Sequence, residues 1–321
     1  MTAEGGATVI TLDIGGTTIK GALVGPDGRE LVRVDQPTEV AHGPEAVVRQ
    51  VRAFARQLAA EGTVAAGLSV PGIVDTGAGV ARHAANLGWR DVPLRHLVSE
   101  EIGLPVVIEQ DVRAATVAEV EIGLGRGIRD LMVVVLGTGI AAGLVLSGRS
   151  VVGAVGSAGE MGHLPVHPNG EPCACGQRGC LEVYASAAGI ARRYAAAGGA
   201  PSATAEDVVA ALGREDLAAR IWAEGTRALG LVLASSTLLL DPALIVLAGG
   251  LTGAGEELVR PVRAETQAAL AWRLAPRVEI SPLGAHAGRV GAAILAWRAA
   301  GQHEVTRAWT VPSLVEAGGA G

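Results

Sequence analysis

The chain has 321 residues, 49% of them hydrophobic and 18% charged, with a formal net charge of -6 at pH 7. So much aliphatic side chain excludes intrinsic disorder, and an acidic balance without a block of Lys or Arg argues against nucleic acid or an anionic membrane as partner. The longest apolar stretch, residues 229–240, is shorter than the roughly 18–20 residues of a membrane span.

Strands are predicted over 8–12, 19–24 and 30–34, joined by glycine turns into a meander. A helix follows from Pro44, where Val47, Val51, Phe54 and Leu58 repeat every three or four residues and form one apolar face. Short buried runs over 64–70 and 106–108 come next, the second leading into a helix that reaches about residue 122. A second start lies at 131–136, which runs into Gly137-Thr138-Gly139 and a further strand over 143–146. Gly15 to Gly21 and Gly137 to Gly143 have the same spacing, a weak internal duplication that implies two related α/β halves. Helices near 185–197, 223–240 and 288–299 and a strand over 243–248 complete the pattern. The division expected is a small domain over 1–111 joined by a C-terminal helix near 288–300, a larger domain over 112–287, and a loosely ordered tail over 301–321.

Glycine, at 46 residues, has about twice its ordinary share of ~7% and no Gly-X-Y period. Three strand ends use it alike: Asp13-Ile14-Gly15-Gly16-Thr17, Leu136-Gly137-Thr138-Gly139 and Ala248-Gly249-Gly250-Leu251. Without a Cβ, such turns aim backbone N–H groups at phosphate oxygens, and a carboxylate such as Asp13 beside one suits Mg²⁺. Each alone reads as an ordinary tight turn, since none matches a P-loop or a dinucleotide fingerprint. Three of them in two similar halves point to a bound nucleotide. Asp111 lies just past a buried strand, where a carboxylate suits either a helix N-cap or a site. Cys173, Cys175 and Cys180 fall within eight residues, a poor disulfide framework and a natural thiolate cluster.

In these segments the chain resembles the ROK family of bacterial sugar kinases and sugar-responsive repressors. The likeness runs from Asp13 to Thr18 through Leu136 to Gly139 and Ala158-Gly159-Glu160-Met161-Gly162-His163 to the cysteine segment ending Leu181-Glu182. It implies the actin-like, hexokinase-like ATPase fold, with two RNase H-like α/β domains and an interdomain cleft. It also implies ATP bound by Asp13, Gly15, Gly16, Thr17, Gly137, Thr138, Gly139, Gly249 and Gly250, with Mg²⁺. Asp111 becomes the general base, and Gly72, Asn86, Gln110, Asp111, Glu160, His163 and Glu182 the sugar-side residues. His163, ten residues before Cys173, completes a Cys₃His set, the composition of a structural zinc site, with Gly176 and Gly179 letting so short a loop wrap the metal.

The reaction so implied is phosphorylation of a hexose at its primary hydroxyl, with glucose the first substrate and an N-acetylhexosamine the second. A sugar-binding regulatory protein without catalysis is the reading from a different class. A DNA-binding repressor is not expected, because the first phosphate turn begins at Asp13 and leaves no room for a helix-turn-helix ahead of it. The chain departs from the family at Gln110, where Asn is common, at Val112-Arg113 in place of Ala-Asn, and at Ala141-Ala142, where glycines are common. A cytoplasmic location is expected, since residues 1–7 contain no basic region followed by an apolar leader, and the resemblance implies a homodimer.

Overall fold

The computed structural model describes residues 6–311. In chain order, β1 (Thr8–Ile14), β2 (Thr18–Val24), β3 (Glu30–Pro37), α1 (Pro44–Leu58) and β4 (Thr63–Val70) are followed by short strands β5 (Ile73–Asp75), β6 (Val80–Ala84) and β7 (Trp89–Val92). Next come α2 (Leu94–Ile102), β8 (Val106–Gln110) and α3 (Asp111–Glu121), then β9 (Leu131–Leu136), β10 (Ile140–Leu146) and β11 (Arg149–Ser150). The remainder is α4 (Leu181–Ala185), α5 (Ala187–Ala196), α6 (Ala205–Ala210), α7 (Asp216–Leu240), β12 (Leu244–Ala248), α8 (Glu256–Ala268), β13 (Arg277–Ile280) and α9 (Ala287–Ala299). Among the described residues no helix is long and apolar enough to cross a membrane.

Two compact units form. Among the described residues, the first comprises residues 6–126, Val152–Ser157 and residues 286–311; the second comprises Gly127–Val151 and Ala158–Ala285. The first is built on a sheet of order β3-β2-β1-β4-β8, in which β1, β4 and β8 run parallel, β2 is antiparallel to β1, and β3 is antiparallel to β2. Helix α1 buries Val47, Val51, Phe54 and Leu58 in the same core as Ile10, Leu12, Leu68 and Ile108, the face its apolar spacing predicts. Helix α9 lies directly on the sheet: a Cβ on Gly67 would stand 2.1 Å from the Ala292 carbonyl oxygen. Helix α3 lies as close to α9, since a Cβ on Gly291 would stand 1.8 Å from the Ala114 carbonyl oxygen. This backbone contact is why the first unit continues past Asp111 through Arg126.

The second unit repeats the plan with a sheet of order β11-β10-β9-β12-β13, where β9, β12 and β13 are parallel, β10 is antiparallel to β9, and β11 is antiparallel to β10. In both sheets the first strand is central, its hairpin partner lies on one side and its parallel neighbour on the other. That is the duplication the glycine spacing implied. Several elements were not anticipated, namely the small β5-β6-β7 sheet, α2, α6, α8 and β13. The beginning of the tail is also more ordered than expected. Trp309 is 2% exposed and its Nε1 donates to the Pro26 carbonyl at 2.8 Å, so residues 301–311 pack on the first unit. The terminal Gly-Gly-Ala-Gly lies outside the described residues.

Candidate active site

Parallel strands deliver side chains to the carboxyl edge of their sheet, the usual ligand edge of α/β proteins. In the first unit the register places Asp13 of β1 opposite Ser69 of β4, and Ser69 opposite Glu109 of β8. The Ser69 hydroxyl donates to Asp13 Oδ1 at 2.8 Å. The glycine turn that follows is pinned by the Gly15 N–H to the Thr18 carbonyl at 3.0 Å and by the Thr38 hydroxyl to the Gly15 carbonyl at 2.7 Å. Asn86 lies over this turn, its Nδ2 3.0 Å from where a Cβ on Gly16 would be. The loop carrying Asn86 is anchored by buried Trp89, whose Nε1 donates to the Pro44 carbonyl at 3.1 Å. Gly72 follows the end of β4 with a φ of +85°.

Asp111 opens α3 directly after β8. Its Oδ1 accepts the Val112 N–H at 2.8 Å and the Gln110 amide at 2.7 Å. The N-cap of α3 is Gln110, whose Oε1 accepts the Arg113 N–H at 2.9 Å, so the capping role open to Asp111 in the sequence is filled by its neighbour. Gln110 is 7% exposed, and both ends of its amide are engaged inside the protein. Arg113 is 3% exposed, paired with Glu109 at 2.7 Å and donating to the Val74 and Gly156 carbonyls, both at 3.1 Å. Glu109 also accepts from the Thr76 hydroxyl at 2.9 Å and the Gln110 N–H at 2.8 Å. Sequence reasoning missed Ser69 and Glu109. Their signal is their position near the ends of parallel strands, visible only once the register is known.

In the second unit the turn Gly137 to Gly139 joins β9 and β10, and Gly137 and Gly139 close it with a 3.0 Å bond. Glu182 meets it. Its Oε2 accepts the Ile140 N–H at 3.1 Å and would lie 2.5 Å from a Cβ on Gly139, so a side chain there would displace the carboxylate from this position. Ala141 and Ala142 fall beyond the turn, inside β10 opposite Val135 and Val134, so this departure leaves the turn itself intact. Gly249 and Gly250 follow β12, in register with the end of β9. Glu160 stands at the N-cap position of the short turn Met161–His163.

His163, Cys173, Cys175 and Cys180 place their donor atoms within 4.8 Å of one another. Cys173 Sγ lies 3.9 Å from His163 Nδ1, and Cys175 Sγ lies 3.7 Å from Cys180 Sγ. A tetrahedral zinc with bonds of about 2.3 Å to sulfur has ligand edges of about 3.8 Å, so the donor set fits the ion. Burial, followed by the Cys173 and Cys175 sulfurs, pushes the Cys180 thiol up to about 12. At this spacing the three sulfurs and the imidazole could together hold a metal ion, to which the cysteines would bind as thiolates. Cys180 is the N-cap of α4, and Glu182 stands in that helix's first turn.

The sequence model of the ROK family matches residues 9–299. A glucokinase of Halalkalibacterium halodurans is 33% identical over 306 residues, covering 88% of this chain and 92% of that protein. An N-acetylmannosamine kinase of Escherichia fergusonii is 33% identical over 298 residues, covering 90% and 98%. The crystal structure of a ROK family glucokinase from Streptomyces griseus in complex with glucose and AMPPNP superposes with a TM-score of 0.81 at 32% identity, over 91% of this chain and 100% of that one.

Proposed function

The chain belongs to the ROK family and has its actin-like, hexokinase-like fold; taking it as an ATP-dependent sugar kinase of that family, we propose that it phosphorylates a hexose at its primary hydroxyl, converting glucose to glucose 6-phosphate. The observation that carries this reading is the setting of Asp111, a carboxylate that accepts two N–H donors just past the end of the parallel strand β8, in the unit whose central strand carries Asp13 beside its glycine turn.

Phosphoryl transfer needs an in-line hydroxyl, an acceptor for its proton, and charge stabilisation at the phosphate. On this reading Asp111 accepts the proton, and Gly72, Asn86, Glu160, His163 and Glu182 orient the sugar. Gly15, Gly16, Thr17, Gly137, Thr138 and Gly139 hold phosphates, while Gly249 and Gly250 lie at the adenosine. Asp13, oriented by Ser69, would hold Mg²⁺, which when bound neutralises phosphate charge. His163, Cys173, Cys175 and Cys180 would hold zinc as a closed structural set with no position for a reacting water. The working form is a cytoplasmic homodimer with no nucleic-acid partner.

A coupled assay of ADP release across glucose, mannose, N-acetylglucosamine and N-acetylmannosamine tests the substrate. The highest kcat/KM is expected for glucose. The E. fergusonii relative, at the same identity as the glucokinase, favours a second reading as an N-acetylmannosamine kinase, which a preference for that sugar would establish. Sugar binding without turnover on any of the four would leave the non-catalytic regulatory reading.

A further inference from the structure

We propose that Gln110 is a positioning residue that holds the Asp111 carboxylate, an inference that rests on Asp111 being the general base. One amide does two jobs. Its Oε1 accepts the Arg113 N–H at 2.9 Å, satisfying a donor that the first helical turn leaves without an intrahelical partner. Its Nε2 donates to Asp111 Oδ1 at 2.7 Å. The orientation is determined by chemistry: a flipped amide would set NH₂ against the Arg113 N–H and oxygen against a carboxylate. Together with the Val112 N–H at 2.8 Å, the amide fixes Oδ1 by two donors from two directions.

The amide is itself held from behind. The Gln110 N–H donates to Glu109 Oε1, the oxygen that also binds Arg113 Nε, and the Arg113 guanidinium reaches the Val74 and Gly156 carbonyls. Glu109, Gln110 and Arg113 therefore form one frame around the start of α3, with Gln110 and Arg113 buried and Glu109 partly so. Within it the Gln110 side chain reaches Asp111 Oδ1 directly. The methylene that Gln has beyond Asn supplies the reach for a single amide to span the helix end and the carboxylate. Gln110 thus acts on the reaction through Asp111.

Two variants separate this role from simple capping. Gln110→Ser retains a good N-cap oxygen but is too short to reach Asp111 Oδ1. Gln110→Glu retains the acceptor for the Arg113 N–H, in a charge state that a helix N-terminus favours, and removes the donor. Steady-state kinetics with the preferred hexose and saturating ATP, together with thermal melting of each variant, provide the readout. The expected result in both variants is kcat lowered by about 10- to 100-fold, the scale of a misplaced reacting group, with the hexose KM within about threefold of the parent protein and melting within a few degrees of it. An unchanged kcat in either melting-competent variant overturns the proposal, and so does a raised KM at unchanged kcat, which would make Gln110 a direct sugar contact. Absence of turnover by the parent protein on every hexose overturns the kinase reading and the role of Gln110 with it.

Discussion

Asp111 is suited to a clean test because its carboxylate oxygen and an amide oxygen accept the same two bonds. In Asp111→Asn the Val112 N–H and the Gln110 amide keep their acceptor, so the first turn of α3 stays intact while the proton acceptor is gone. A loss of about 10²–10⁴-fold in turnover is expected, the range of a general base, with calorimetric sugar affinity retained. Turnover at the parent rate would remove Asp111 from the chemistry. Single residues also mark the limit of reading a sequence. Asp13, Gly15 and Gly16 could be picked out because their turn is local and its residue types are restrictive. Arg113 looked like a bare departure from the family pattern, yet it is a buried pin whose partners Val74 and Gly156 lie 39 and 43 residues away. No local window contains that information.

Among the elements, α3 depends on its seat against α9. Adding a methyl group at Gly291 would bring it within 1.8 Å of a backbone oxygen, which no side-chain rotamer relieves. Gly291→Ala is therefore expected to lower stability by about 1–3 kcal/mol, read by denaturant melts, and to reduce turnover because α3 carries Asp111. Gly253→Ala, whose Cβ would meet nothing within 4 Å, is the matched control expected to be near neutral. The metal loop makes a second prediction at this scale. The purified protein should carry about one zinc per chain, and Cys175→Ser or exhaustive chelation should release it and lower the melting temperature by several degrees. A metal-free protein of unchanged melting temperature would tell against a structural ion. Helices with a clear apolar stripe, such as α1, could be read from the sequence with their faces. The three short strands β5 to β7 could not, because runs of three to five residues carry too little period to separate strand from loop.

For the whole molecule, the two-sheet plan was readable from the repeated glycine-to-strand spacing, since a turn between a central strand and its hairpin partner recurs at the same place in each sheet. The extent of the first unit was not. It is assembled from three separate stretches of chain, and its membership is decided by long-range contacts such as Trp309 to Pro26, 283 residues apart. Trp309→Ala should cost the first unit about 3–5 kcal/mol, as for other buried tryptophans. Hydrogen exchange localised to β1, β2 and α9 would register the loss, and unchanged protection there would show that the segment after α9 is dispensable.

The seat of α9 on Gly67 also sets an order of events during synthesis. The second unit is nearly continuous in sequence and has all its strands once residue 285 has left the ribosome. The sheet that holds Asp13 and leads into Asp111 must wait, with the face that α9 covers exposed, until α9 follows. Contacts spanning so much chain form late and slowly. The half of the protein made first is therefore the half finished last, and its exposed strands are where nascent chains would be captured by a chaperone or by one another.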